Sequence, residues 1–348
     1  MELANPHPLP ATLAVSEMPG FGRRVATAVA KATFNIAGGK AELETQAPLE
    51  LLPKDTPTPL GDLPRDDLPR CDPVFEVVLF GQARAPGGAP CTRMSVSLAV
   101  GSTRRELLVT GDRRWEKQRL RQRPTDPEPF GVMPLTWERA FGGTCAVEID
   151  RESFVDLSDV RNAVGRGWDP SPDAAALGKQ MKSPKGYPKF DPTRLLPNVE
   201  RPDSPVSVWE DSPEPACWAP VPTTSAIHAL RLMQDGPDGP QIGPGVFHRA
   251  HPDWVLPHAP EAGAVVEVRG VTERGSWSFP LPRLGVRVDL HTNGSTRTID
   301  LAPQVLVLLP EESRCYLVFR GWIPVPPPDG EPRTARLRLD ESWDGGPR

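Results

Sequence analysis

Apolar residues alternate with polar ones in several short stretches of this chain, and a helical period is nowhere sustained. Met94, Val96, Leu98 and Val100 share one face of a strand; Gly101-Ser102 follows, then Glu106-Leu-Leu-Val-Thr110. Two such runs about a glycine turn predict a β-hairpin. The clearest local signal runs from Val286 to Leu301 about Asn293-Gly294, a pair suited to a type I′ turn because both central residues need positive φ. Folding there sets Val288 opposite Ile299 and Val286 opposite Leu301 on one face, with Arg297 opposite Leu290. Residues 304–309 and 314–319 flank Pro310-Glu-Glu-Ser313 and predict a second hairpin, while 72–81 and 264–269 each read as a strand. Residues 25–36 are alanine-rich, as a helix would be. Their β-branched Val25, Thr27, Val29 and Thr33, followed by Gly38-Gly39, favour a strand.

The rest of the chain has little period. Residues 48–73 read as an extended loop, and 168–222 hold 12 prolines. Loops of that length inside compact domains are uncommon. This one carries Trp168, Tyr187, Phe190, Trp209 and Trp218, which points to an ordered segment wrapped over a sheet, with one helical turn at 173–178. The predicted organisation is a single mainly β domain over 1–323, built of antiparallel sheets as a sandwich or open barrel. Residues 151–260 form an irregular Pro-rich insertion within it, and 324–348 a Pro-rich polar tail. Within that tail Ala335, Leu337 and Leu339 alternate as an added edge strand would.

Composition agrees with strands and loops: 45 prolines exclude long helices almost everywhere. A net charge of −5 argues against nucleic acid as the main partner. The densest basic stretch, 113–123, is interrupted by Glu116 and reads as a solvated turn or short helix, or as a docking surface for an acidic protein. There is no signal-like N-terminus and no long apolar span, so a cytoplasmic protein without membrane insertion is expected. The five cysteines are widely spaced without a Cys-x-x-Cys, as reduced core residues would be.

Candidate chemistry is sparse. Glu138-Arg139 lies between Trp137 and Phe141, where an aromatic setting would raise a carboxyl pKa; on a strand the two side chains would point apart. His248, His251 and His258 come nearest to a metal site, but Pro252 and Pro257 make the stretch a loop and no His-Glu-x-x-His occurs. Neither a nucleophile elbow nor a phosphate loop is present. No metal or other cofactor is expected. Nine tryptophans on a β scaffold leave a carbohydrate-binding surface, or an enzyme site beside the histidines, as the alternative.

Three segments carry more: Pro134-Leu-Thr-Trp-Glu-Arg-Ala-Phe-Gly-Gly143, Asn162-Ala-Val-Gly-Arg-Gly-Trp168 and Leu195-Leu-Pro-Asn-Val-Glu-Arg-Pro202. Each sets Gly, Pro, Asn or Trp beside a lone charge, the mark of irregular but specified backbone. In this order, with Lys31-Ala-Thr-Phe34, Thr110-Gly-Asp-Arg-Arg-Trp115 and Phe247-His-Arg-Ala-His-Pro-Asp253, they resemble the domain of unknown function 2169 family over roughly residues 25–320. The family's Gly-Thr-Tyr-Asp string is missing between Ala219 and Gly245, as in a divergent or shortened member. The resemblance implies a non-enzymatic adaptor or chaperone that loads an effector onto the spike of a type VI secretion system. Its partners would be proteins, the secreted effector and a spike or tip protein. Trp137, Glu138, Arg139, Phe141, Asn162, Arg166, Asn198 and Glu200 are then the candidate partner-binding residues, with Trp137 and Phe141 also expected to anchor the 134–143 loop in the core. Gly142, Gly143, Gly165 and Gly167 would shape the loops.

Overall fold

The structure is a computed structural model that describes residues 2–17, 24–66, 74–118, 121–148, 154–169, 193–223, 233–236, 239–242, 248–273, 275–291, 295–325 and 334–339. It is mainly β, with several antiparallel sheets. The largest follows the order Glu2–Ala4, Thr334–Leu339, Val286–His291, Thr296–Leu309, Arg314–Pro324, Arg24–Ala37, Ala11–Glu17. Both ends of that order come from the N-terminus, and only residues 5–10 link them, so the sheet curls until one short connection joins its edges. Lys40–Leu43 extends it beside Arg24–Ala37, and Phe75–Leu79 runs parallel to the second half of Thr296–Leu309. A five-stranded sheet lies against it, ordered Val199–Glu200, Thr103–Thr110, Arg93–Val100, Val265–Arg269, Ser276–Pro280. Phe34, Leu79 and Leu317 of the first sheet share one apolar cluster with Val96, Leu98, Val268 and Phe279 of the second. The fold thus combines a sandwich with barrel-like curling.

The alanine-rich segment is the strand Arg24–Ala37. Ala26, Ala28, Ala30 and Ala32 are fully buried, and so are Val25 and Val29 on the other face, because neighbouring strands and a second layer cover both. Small side chains there let the layers approach. The register of the later hairpin is the one expected: Val286 faces Leu301, Val288 faces Ile299 and Leu290 faces Arg297. Its Asn293-Gly294 turn lies outside the described residues, as does the helical turn at 173–178.

Several expectations are corrected. Residues 296–301 and 304–309 form one strand, Thr296–Leu309, with a register shift between Pro303 and Val305. A proline cannot donate to a ladder, so it sits at the irregularity instead of ending the strand. Thr334–Leu339 does not cap the tail as an edge; it is inserted between Glu2–Ala4 and Val286–His291 and buries Ala335 and Leu337 in the main core. The Pro-rich N-terminus contributes two strands, and the 48–73 loop contains a small hairpin, Thr56–Thr58 with Gly61–Leu63. The basic stretch is neither a turn nor a helix but the hairpin Trp115–Gln118 and Arg121–Pro124. Within the 151–260 insertion, Phe154–Ser158 pairs with Thr144–Glu148. No helix among the described residues is long and apolar enough to cross a membrane.

Buried charge holds the sheets to their loops. Lys31 of the Lys-Ala-Thr-Phe string is 1% exposed, pairs with Asp66, donates to Glu50 O at 2.8 Å and lies 4.3 Å from the Tyr316 ring centroid. Burial lowers the Lys31 pKa and raises that of Asp66, against their mutual attraction. Glu76, also buried, accepts from the backbone N–H groups of Arg249 (2.6 Å) and Ala250 (2.7 Å), fixing the histidine-bearing loop to the sheet.

Candidate functional site

The three unusual segments meet in space. Phe141–Gly142 pairs in parallel with Arg166–Gly167, Ala140 bridges Val199, and Val199–Glu200 pairs with Thr103–Thr110. The knot of loops is thereby attached to the rim of the five-stranded sheet. Trp137–Arg139 forms one 3-10 turn, and Trp137 and Phe141 pack into separate apolar clusters. Trp137 packs with Cys217, Ala219 and Val221 and donates from Nε1 to Ala219 O at 2.9 Å. Phe141 packs with Trp115, Leu196 and Val206, beside the partly buried Trp168 and Trp209. Burial pushes the Cys217 thiol up to about 12, so it is an inert core group.

Two asparagines hold the crossing point. Asn162 donates from Nδ2 to the carbonyls of Trp137 (2.8 Å) and Phe141 (2.9 Å). Asn198 donates from Nδ2 to Thr110 O (3.0 Å) and Asp112 Oδ1 (2.9 Å), while its Oδ1 accepts from Arg139 Nη1 (3.0 Å) and Arg166 Nη1 (3.1 Å). All four hydrogen-bonding positions of that amide are in use. Its backbone joins the same network, donating to Arg139 O and accepting from Thr110 N, both at 2.8 Å. Close approach explains the glycines. Gly142 has φ +137°, and a Cβ there would lie 2.2 Å from Asn162 O; one on Gly165 would lie 2.4 Å from Asn162 Nδ2. Gly143 and Gly167 also adopt positive φ.

Below the asparagines lies a buried ion pair. Arg113 Nη2 donates to Glu200 Oε2 at 2.6 Å and to Pro197 O at 2.9 Å, and Glu200 Oε1 accepts from Val206 N at 2.7 Å. Burial raises the Glu200 pKa against the opposing pull of Arg113. Arg113 belongs to the basic stretch expected to be solvated, yet it is 4% exposed. Its charge reaches inward because Glu200, far along the chain, waits there.

Of the eight residues expected to touch a partner, Trp137, Phe141, Asn162, Asn198 and Glu200 are buried. They have no surface to offer, so their place is in building the knot. Glu138 is exposed, and Arg139 and Arg166 keep 28% and 21% of their side-chain surface. With Asp112, 3.7 Å from Arg139 and 3.9 Å from Arg166, they form a mixed-charge rim above Asn198. Burial lowers the Arg166 pKa, and neighbouring Arg139 adds to the effect. Arg166 Nε also donates to Glu138 O at 2.7 Å, so the rim is tied to its own backbone. Asp112 escaped the sequence analysis as a site residue; only its place in the Thr110–Trp115 string hinted at it.

The histidines separate. His248 and His251 are buried, whereas His258 is exposed. His251 Nδ1 accepts from Asp253 N at 3.1 Å, and its ring stacks on Trp137 with centroids 6.1 Å apart. No group of three or more His, Cys, Asp or Glu side chains is placed to hold a metal among the described residues. Trp115, Trp137, Trp218, Trp254 and Trp277 are all buried, whereas Trp168, Trp209 and Trp322 are partly exposed.

Residues 21–320 match a family described as an uncharacterized protein conserved in bacteria, the domain of unknown function 2169 family. The chain belongs to this family. All three knot segments fall within the match, as do Lys31 and the Arg113–Glu200 pair. No curated protein and no solved structure gave a match.

Proposed function

We propose that this family member is a non-enzymatic adaptor or chaperone, which binds a secreted effector and couples it to the spike of a type VI secretion apparatus. The observation that carries this reading is the division of labour in the knot. Its asparagines, glycines and aromatic residues are spent on making a stiff crossing of three loops, and the charges left over are displayed on its rim. A rigid mixed-charge rim suits recognition of another protein, because fixed charges give orientation and selectivity at low ordering cost.

Co-expression with a type VI spike protein and a candidate toxin, followed by pull-down, tests the reading. The chain should retain both, and Glu138→Lys should weaken capture while melting like wild type, since Glu138 is exposed. Trp137→Ala should instead lower stability by about 3–5 kcal/mol, the usual cost of removing a buried tryptophan. If the wild-type chain stays alone while the toxin is soluble and delivered without it, the adaptor function is wrong.

A further inference from the structure

The edge of the five-stranded sheet is only partly covered. Val199–Glu200 pairs with Leu108 and Val109 alone, although Thr103–Thr110 is eight residues long. Thr103 and Val100 close the hairpin, so Thr103, Arg105, Leu107 and Val109 turn their backbone groups toward Arg93–Val100. Arg104, Glu106, Leu108 and Thr110 therefore turn theirs the other way. Thr110 donates to Asn198 O and Leu108 faces Glu200. The next strand position would fall at Pro202, which has no N–H to give Glu106. Pairing stops there. Among the described residues nothing takes the backbone N–H of Arg104 or the N–H and C=O of Glu106.

A groove of about 380 Å³ opens at this point, between residues 104–107 on one side and 201–203 on the other. Leu107, Ala216 and Trp218 supply its apolar lining. The charges on its rim are unequal in their commitments. Arg201 is held by Asp253 at 2.9 Å, and Arg104 lies 3.5 Å from Glu267 and 3.7 Å from Glu106. Arg105 is exposed, reaches only the Arg104 carbonyl (3.0 Å), and has no carboxylate partner among the described residues.

We propose that this edge docks a short extended segment of a partner protein by strand addition, with an acidic side chain opposite Arg105 and an apolar one directed at Leu107, Ala216 and Trp218. An open sheet edge recognises extended backbone, and the flanking side chains select the sequence. The uncovered stretch, Thr103 to Glu106, spans about 13 Å, enough for a peptide of four residues. This proposal deepens the adaptor reading, on which it rests only for the identity of the partner as a protein.

The probe is the capped heptapeptide Thr-Thr-Val-Thr-Asp-Thr-Thr, whose valine and aspartate share one face as Leu107 and Arg105 do, with one counterpart carrying proline for the central threonine and one carrying lysine for the aspartate. Titration calorimetry would measure all three against wild type, Glu106→Pro and Arg105→Glu. Glu106→Pro removes an outward-facing N–H and spares the hairpin ladder; a thermal melt checks its fold, and Arg105→Glu is an independent variant. The parent peptide should bind wild type and slow amide exchange at Arg104 and Glu106. Glu106→Pro, and separately the proline peptide, should each weaken binding about tenfold or more. Arg105→Glu should lose the aspartate peptide and gain the lysine one. The proposal is overturned if the parent peptide does not bind at millimolar concentration, if the proline peptide binds as well as its parent, or if those amides are already protected in the free protein. Retention of the co-expressed effector by Glu106→Pro would also overturn it and leave the adaptor reading intact. Failure of the wild-type chain to hold any effector would sink the adaptor reading, with peptide binding still deciding the edge.

Discussion

The hairpins between Val286 and Pro324 and the knot of loops around Asn198 are both well buried, yet they are held by different means. In the hairpins the backbone satisfies itself: each strand bonds to its neighbours, and the side chains need only alternate between apolar and polar. In the knot the backbone has almost no ladder, only two-residue strands and single bridges. There, side-chain amides and guanidinium groups take the place of the missing strand partners. The hairpins should therefore tolerate loss of any one side chain, because the cost is local packing. The knot should not, because one side chain serves several buried groups and its loss orphans all of them.

The largest expected effect tests that contrast at the buried ion pair. Arg113→Ala leaves the Glu200 carboxylate buried without its partner and frees the carbonyl of Pro197, which should cost about 3–5 kcal/mol. Denaturant unfolding would measure it, and Arg113→Met with Glu200→Gln should restore part of the loss. If Arg113→Ala unfolds within 1 kcal/mol of wild type (roughly the scale of an exposed ion pair), the pair is not buried in solution and the contrast between the regions collapses. A smaller effect is expected in the hairpin. Ile299→Val removes one methylene opposite Val288 and should cost about 0.5–1.5 kcal/mol. A loss equal to that of Arg113→Ala would show the hairpin to be as brittle as the knot.

The smallest effect sharpens the comparison at the surface. The partly exposed Glu44 carboxylate accepts from Asn35 Nδ2 (2.6 Å), Gln46 N (2.7 Å) and Ala47 N (3.0 Å). The Asn35 bond first, then the two backbone bonds, lower its pKa from 4.5 to about 2. Because the folded value lies below the unfolded one, the stabilisation is present above pH 4.5 and is lost as pH falls toward 2. Glu44→Gln should therefore melt slightly below wild type at neutral pH, and the gap should close on acidification through that window. A gap that persists at pH 2 would mean the carboxylate's charge contributes nothing.

Much of the hairpin region was legible in the sequence because its information is local. Period-two alternation and β-branched residues name strands, and the pairing of Val286 with Leu301 follows from counting outward from a turn. The stretches ending at Leu301 and beginning at residue 304 merge across Pro303 for a physical reason: a proline ends a strand only where its N–H is required, and at an irregularity it is not. Ala335 and Leu337 alternate plainly, but nothing near them says that the first residues of the chain will cover their other side. In the knot, the glycines and aromatic residues marked specified backbone. Which of the candidate contact residues face outward was not marked, and five of the eight face inward.

By itself, then, the sequence determined a mainly β chain with its principal hairpins and their register, and it singled out the three segments that matter. Those features depend on residues a few positions apart, whose steric and hydrophobic preferences act before any distant contact forms. Only the tertiary structure decided which charges are buried, which residues of the knot reach the surface, and where a sheet edge is left uncovered. Arg113 and Glu200, or Arg105 and Pro202, are separated by most of a hundred residues. Their burial and exposure follow from which chain segments meet in space, and no local pattern in the sequence encodes that meeting.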